Sequence, residues 1–141
     1  MKPSLFYRLA AVLLLLFAAA HTLGFRQSDP GWGVDALLSG MRSIHFDMLG
    51  SDRTYWDLFL AAGYTVGVLY LFAAVLAWQL GGLPPATLAH LQGTTWAFAL
   101  SFAAITALSW KYLFIIPIGF SLAITLCLTA AAWLSARQVG P

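Results

Sequence analysis

Residues 21–57 are the segment around which the chain is organised, and they read HTLGFRQSDPGWGVDALLSGMRSIHFDMLGSDRTYWD. Two of the three histidines and all five acidic residues, every one an aspartate, lie in this segment. Long apolar runs lie on both sides of it. Because the whole chain is 61% hydrophobic and only 9% charged, this clustering of ionisable groups predicts that any chemistry takes place here.

The composition is typical of an integral membrane protein. Mean hydropathy is +0.83, and aromatic residues make up 15% of the 141 residues, a length that predicts a single domain. The net charge of +2 is too small, and the arginines too scattered, for a nucleic-acid-binding surface. The single cysteine, Cys127, excludes an internal disulfide, thiol–disulfide redox chemistry and iron–sulfur ligation.

The first apolar run predicts a membrane-spanning helix over residues 4–24, which is long enough to cross the hydrocarbon core. Lys2 and Arg8 precede its most apolar part. Ala18 and Ala20 form a small-residue pattern like that of a signal-peptide cleavage site. A cleaved signal peptide therefore remains the alternative interpretation of this run.

The polar segment 25–54 is expected to contain one amphipathic helix within residues 33–50. It is too short and too charged to span a membrane, so we expect it at the interface or across the mouth of a helix bundle. Its apolar residues recur with a helical period and are Val34, Leu37, Leu38, Met41, Ile44, Met48 and Leu49.

Three further spans are predicted at residues 55–80, 86–109 and 112–136. Thr54 and Asp57 have the spacing of a capping box at the start of the first of these. The predicted fold is therefore an all-α integral membrane protein. It is a bundle of four transmembrane helices with one amphipathic interfacial helix between the first and second spans.

Four spans place both chain ends on one side of the membrane and the segment 25–54 on the other. Basic residues are nearly balanced between the two sides, but the basic start of the first helix favours a cytoplasmic N-terminus. We predict a protein of the inner or plasma membrane with cytoplasmic termini. The segment 25–54 would then be periplasmic or extracellular.

Three ionisable residues are predicted to meet at the outer mouth of the bundle as a catalytic group. His45 falls on the apolar arc of the interfacial helix, His21 ends the first span, and Asp57 begins the second. A histidine near a carboxylate is suited to acid–base chemistry. Each residue also has a structural interpretation: a histidine bonded to a carbonyl or water, a helix C-terminal residue, and a member of the capping box.

Arg42 is predicted to orient the polar head of a substrate through paired hydrogen bonds. Tyr64, Phe98, Phe102 and Trp110 are predicted to line a pocket for its apolar tail. Solvated or headgroup-binding arginine and interfacial aromatic residues are the alternative interpretation of these positions.

His21 and His45, with Asp47 or Asp57, have side chains that bind metals, but their spacing matches no metal motif. We therefore expect no metal and no other cofactor.

Small residues spaced four apart predict close helix contacts, within the chain or in a homo-oligomer. The pairs are Ala18 with Thr22, Gly63 with Gly67, and Gly119 with Ala123.

Three functions are consistent with these features. The first is a small bacterial-type membrane enzyme that binds a hydrophobic or lipid-like molecule and performs acid–base chemistry at its outer mouth. The second is a non-enzymatic lipid-binding, scaffold or accessory subunit. A transporter or channel is the weakest, because only neutral polar residues lie near the midplane. The expected partners are membrane lipids and a hydrophobic small molecule. A pocket lined by His45 would favour the enzyme, and outward-facing charges the binding subunit.

Overall fold

The structure is a computed structural model that describes residues 2–137. Within this range the chain forms six α-helices, one 3₁₀ turn and one antiparallel hairpin of two strands, so the prediction of a helical protein is confirmed. In chain order the elements are α1 (Pro3–Gly24), the 3₁₀ turn (Pro30–Trp32), α2 (Asp35–Ser43), β1 (His45–Met48), β2 (Ser51–Thr54), α3 (Tyr55–Leu80), α4 (Pro85–His90), α5 (Gln92–Tyr112) and α6 (Ile115–Arg137).

Three helices of the described chain, α1, α3 and α6, are long and apolar enough to cross a membrane. Their lengths are 22, 26 and 23 residues, and about 20 apolar residues suffice to span the hydrocarbon core. The bounds of α3 coincide with the predicted span, and α1 begins one residue earlier than predicted. These helices indicate that the protein associates with a membrane.

The helix predicted at residues 86–109 is interrupted. α4 ends at His90, Leu91 has φ −96° and ψ 17°, and α5 begins at Gln92. The N–H of Leu91 donates to the carbonyl of Leu88 at 3.1 Å, which closes α4 with a tight turn. The glycine and two threonines that begin α5 are weak helix formers, which favours a break at this point.

The last helix begins at Ile115 instead of residue 112, because Leu113 is extended, with φ −119° and ψ −175°. Pro117 is therefore the third residue of α6. In the first turn of a helix the N–H has no intrahelical partner, so a proline is tolerated there. Pro117 is therefore compatible with a continuous α6.

The chain divides into two compact units: unit 1 comprises Met1–Phe17 and Tyr70–Pro141, and unit 2 comprises Ala18–Leu69. The hydrophobic core lies in unit 1. Much of it is alanine, which lets helix backbones approach closely. Its most completely buried large side chains are those of Tyr7, Leu14, Leu88, Ile124 and Leu128.

Unit 2 has little buried surface. Its buried residues are Ala18, Thr54, Gly63 and Gly67. The Phe25 ring occupies the space beside Gly63 that a side chain would need, and Oγ1 of Thr22 lies 2.6 Å from the corresponding position at Gly67. The prediction that these glycines mediate a helix contact is confirmed, and the contact lies within the chain.

Among residues 2–137, no atom lies within 4 Å of the position of a Cβ added at Gly119. Nothing in this part of the chain therefore packs against Gly119 itself. A homo-oligomer formed through Gly119 stays a prediction.

The interfacial helix predicted within residues 33–50 is only partly present, because α2 ends at Ser43 and a β-hairpin follows. Ile44 and Met48 fit a helical period, but together with Phe46 they also alternate with polar residues, as strand residues do. The same apolar pattern is therefore compatible with a helix and with a strand. Beyond Ser43 the chain forms the strand.

Leu49 and Gly50 form the two-residue turn between the strands. Their φ angles are 52° and 83°, which is the conformation that two-residue hairpin turns require. Gly50 adopts it without strain, whereas Leu49 is a bulky residue in a region that such residues rarely occupy. Leu49 is also 101% exposed, so the hairpin ends in an unpacked apolar side chain.

Candidate functional site

The hairpin arranges several ionisable side chains of unit 2. His45 lies opposite Thr54, and Asp47 lies opposite Asp52. Because opposed residues share a face and successive residues alternate between faces, these four side chains project from one face. One histidine and two carboxylates are therefore gathered directly before α3.

His45 is exposed and bonded to a carboxylate. Its Nδ1 donates to Oδ2 of Asp52 at 2.9 Å, and the two side chains are 59% and 73% exposed. The prediction that His45 lies on the buried arc of a helix is therefore wrong. The reason is that the backbone from His45 onward pairs as a strand, and strand geometry leaves this side chain in solvent.

Asp57 closes the predicted capping box. Its Oδ2 accepts from the backbone N–H of Thr54 at 2.8 Å and from the Thr54 hydroxyl at 2.9 Å. The N–H of Asp57 donates in return to Oγ1 of Thr54 at 3.2 Å. These reciprocal bonds satisfy backbone donors that the start of α3 would leave unpaired. The capping role of Asp57 is confirmed.

His21 joins the end of α1 to α3. Its Nε2 donates to the carbonyl of Gly63 at 3.0 Å. Its ring stacks on Phe25, with the centroids 5.3 Å apart and the planes at 15°. The centroid of the Phe25 ring in turn lies 5.5 Å from that of Phe59 and 5.2 Å from that of Tyr64. His21 thus belongs to an aromatic cluster that holds the two helices together.

The three predicted catalytic residues all lie in unit 2, but their hydrogen bonds run to different partners. His21 bonds to a backbone carbonyl, His45 to Asp52, and Asp57 to Thr54. Strand register places His45 opposite Thr54, which itself bonds to Asp57. The hairpin therefore places His45 beside the start of α3, which the sequence pattern did not indicate.

Two arginines of unit 2 lie against aromatic rings. The guanidinium carbon of Arg42 is 4.3 Å from the centroid of the Trp56 ring, which is a cation–π geometry. That of Arg26 is 5.9 Å from the Phe25 centroid and 5.7 Å from the Tyr64 centroid. Both arginines are exposed, and their planar forks of N–H donors match carboxylate and phosphate groups.

An apolar groove lies beside these arginines. Its volume is ≈ 200 Å³. It is formed by the segment after α1, by α2 and by the first turns of α3, and its lining includes Phe25, Arg26, Trp32, Leu37, Leu38, Trp56 and Phe59. Trp56, on which Arg42 lies, is one of its walls. The groove therefore combines an apolar lining with one arginine in its wall and a second arginine adjacent to it.

The residues predicted to line a tail pocket belong to different units. Tyr64 lies in unit 2, is 41% exposed and meets Phe25 edge to face. Phe98 and Phe102 lie in unit 1 with their rings 5.5 Å apart, and Phe102 is 5% exposed. Trp110, near the end of α5, is 74% exposed. Phe98 and Phe102 accordingly contribute to the packing of unit 1.

Sequence reasoning missed Asp52, Phe25 and Phe59 as members of this region. Asp52 follows His45 by seven residues, and their side chains meet because a hairpin turn lies between them. The alternation around Phe46 and the glycine of the turn were the signals for that hairpin. The aromatic partners carried no local signal.

Within residues 2–137, no group of three or more His, Cys, Asp or Glu side chains is arranged to hold a metal ion. Comparison with protein-family models, with curated proteins and with solved structures finds no match.

Proposed function

We propose that this chain is an integral membrane protein that crosses the bilayer four times, with α5 as the fourth span beside α1, α3 and α6. α5 packs against α6, and its 21 residues correspond to a length of about 31 Å. Its polar side chains bond within the helix: Ser101 donates to the carbonyl of Ala97 at 2.8 Å, and Thr106 to that of Phe102 at 2.9 Å. Such internal bonds reduce the cost of placing hydroxyl groups in hydrocarbon.

The proposed topology has both chain ends in the cytoplasm and unit 2's polar segment outside. It rests on Lys2 and Arg8 at the start of α1. In a background without Cys127, a cysteine at Ser28 should react with an impermeant maleimide added to intact cells. A cysteine at Gly140, which lies outside the described residues, should not react. The reverse labelling pattern would invert the topology.

The protein is further proposed to bind a lipid-like molecule in the groove of unit 2 without transforming it. The observation that supports this is the combination of an apolar groove with Arg26 in its wall and Arg42 on Trp56. An anionic head would pair with the guanidinium groups, and part of an alkyl chain would lie on the aromatic rings.

A binding role without catalysis is supported by the contacts of the ionisable residues. The groove lining contains neither His21, His45 nor Asp57. His21 and Asp57 make hydrogen bonds that hold α1 to α3 and begin α3. These contacts explain why such residues occupy these positions, with no reaction required.

The test uses dansyl-undecanoic acid, whose fluorescence rises in an apolar site, and its uncharged methyl ester. The purified protein should bind the acid more tightly than the ester. Arg42→Gln should weaken binding of the acid by about tenfold while leaving the ester unchanged, and Trp56→Ala should weaken both. Lys111→Gln, a change in unit 1, serves as the control. Equal binding of acid and ester, unaffected by Arg42→Gln, would contradict the proposal.

A second candidate function, acid–base catalysis on a bound hydrophobic molecule, is favoured by the His45–Asp52 pair. A carboxylate that holds one ring nitrogen orients the other toward a substrate. If this function is right, the purified protein converts a component of a membrane lipid extract, as seen by mass spectrometry. His45→Ala and Asp52→Asn should then abolish conversion with thermal stability unchanged, since both side chains are exposed. An extract left unaltered by the wild-type protein would eliminate this candidate.

A further inference from the structure

One end of unit 1 carries positive charge without any acidic side chain. Lys2 and Arg8 lie at the start of α1, and Arg137 ends α6. The buried side chain of Tyr7 lies near the side chains of Thr95, close to the start of α5, and Ser135, close to the end of α6. The start of α1 and the end of α6 are therefore at the same end of unit 1. All five acidic residues of the chain lie in unit 2.

The two arginines at this end are held on tryptophan rings. The guanidinium carbon of Arg8 is 3.7 Å from the Trp78 centroid, and that of Arg137 is 3.6 Å from the Trp133 centroid. Both tryptophans lie near the ends of apolar helices, the position at which tryptophan meets lipid headgroups. Stacking covers one face of each guanidinium group. The N–H donors point outward in the plane of the group, so they can still bind an anion at its edge.

A recess lies where α1 approaches the end of α3. At Gly81 the position of an added Cβ would be 3.2 Å from the Ser4 carbonyl oxygen and 3.2 Å from Nε of Arg8. The absence of a side chain at Gly81 therefore permits this approach. The recess has a volume of ≈ 570 Å³ and is lined by Lys2, Ser4, Leu5, Arg8 and Gly81.

We propose that this recess binds the phosphate group of an anionic glycerophospholipid. Lys2 and Arg8 supply two positive charges, and unit 1 contains no Asp or Glu side chain to neutralise them, so the recess is complementary to phosphate. Leu5 is 60% exposed and provides an apolar surface for the first part of an acyl chain. Because the recess lies at the end of membrane-length helices, the phosphate present at that depth is a lipid headgroup. This site lies in unit 1 and does not depend on the groove proposed in unit 2.

The test measures lipid retained by the purified full-length protein, using native mass spectrometry after exchange into mixed micelles of dodecyl maltoside with phosphatidylglycerol or phosphatidylcholine. Phosphatidylglycerol should be retained selectively and should raise the unfolding temperature. Lys2→Gln and Arg8→Gln should each reduce retained phosphatidylglycerol by about tenfold. Lys111→Gln, at the opposite end of α5, should leave retention unchanged.

Arg8 also packs against Trp78, so Arg8→Gln alone is open to a folding defect. Lys2→Gln alters an exposed residue before α1. If Arg8→Gln fails to fold, Lys2→Gln therefore still tests whether the recess binds the lipid. Equal retention of the two lipids, or an effect of Lys111→Gln as large as that of Lys2→Gln, would overturn the proposal. Protection by inorganic phosphate as strong as that by phosphatidylglycerol would assign the recess to a free anion and overturn it as a lipid site.

Discussion

Unit 1 and unit 2 are stabilised in different ways. Unit 1 contains a continuous buried cluster in which alanines and a few large side chains pack tightly. The buried positions of unit 2 are four small residues, two of them glycines. Unit 2 is held instead by separate contacts, such as His21 with Gly63, Thr54 with Asp57, and Arg42 with Trp56. Unit 1 is therefore stabilised by packing distributed over many side chains, and unit 2 by a small number of individual contacts.

The two units also differ in charge. Unit 2 contains three arginines and five aspartates, a net charge of −2, whereas unit 1 contains four basic residues and no acidic one, a net charge of +4. The acidic side chains occur in turns, in the hairpin and at helix starts. Asp29, Asp47 and Asp57 accept hydrogen bonds there from the backbone N–H groups of Gly31, Gly50 and Thr54. Together with the difference in packing, this contrast predicts larger losses of stability from core substitutions in unit 1 than from the loss of single contacts in unit 2.

The largest effect is expected in the core of unit 1. Leu128 is fully buried on α6, whereas Leu126 on the same helix is 62% exposed. Leu128→Ala should lower the free energy of unfolding by about 2–5 kcal/mol through lost contacts and a cavity, measured by thermal unfolding in micelles. Leu126→Ala is the matched control and should have little effect. Similar losses of stability for both variants would contradict the conclusion that buried packing stabilises unit 1.

The next effect is expected at the closest helix contact of unit 2. Gly63→Leu would force the Phe25 ring out of its place, and such overpacking costs about 1–3 kcal/mol. The same substitution at Gly93, where no atom lies within 4 Å of an added Cβ, should be tolerated. If Gly63→Leu left the unfolding temperature unchanged, the glycine contact would not be holding α1 to α3.

A smaller effect is expected at the start of α3. Thr54→Val preserves the shape of the side chain but removes the hydroxyl that bonds to Asp57, at a cost of about 1 kcal/mol. Hydrogen exchange should accelerate in the first turn of α3 and remain unchanged in unit 1. Thr65→Val, at an exposed position of the same helix, is the control. If exchange also accelerated in α5 and α6, the cap would affect the stability of unit 1, and its effect would not be local to unit 2.

The turn of the hairpin offers a substitution that should stabilise unit 2. Asparagine tolerates positive φ better than leucine, so Leu49→Asn should stabilise the hairpin by roughly 0.5–1 kcal/mol. Leu49→Ala shortens the side chain without relieving the backbone and should give no comparable gain. Amide exchange of β1 and β2 distinguishes the two variants, and equal protection in both would rule out backbone strain at Leu49.

The smallest effect is expected for the exposed pair of His45 and Asp52. Solvent screens such a pair, so the coupling free energy from a double-mutant cycle of His45→Gln and Asp52→Asn should be below about 1 kcal/mol. It should decrease further in high salt. A coupling well above this value would show that the pair is a rigid, functional element.

The sequence predicted the membrane-length helices because apolar length is a local property of the chain. The Thr54–Asp57 cap was likewise predictable, since its two residues are three positions apart. The hairpin was not, because Ile44 and Met48 satisfy both the helical and the strand period. The partner of His45 depends on strand register, which is a non-local property. The groove was not predictable either, since Phe25 and Trp56 are distant in sequence.

β2 ends at Thr54 and α3 begins at Tyr55, so no linker separates the hairpin from the membrane-length helix that follows it. The last strand residue is also the residue that caps the helix. The orientation of the hairpin and that of the first turn of α3 are therefore fixed by the same residue. Insertion of one residue at this junction would turn the helix by about 100° relative to the hairpin, whereas four residues would nearly restore the alignment. The hairpin thus sets the orientation at which α3 begins.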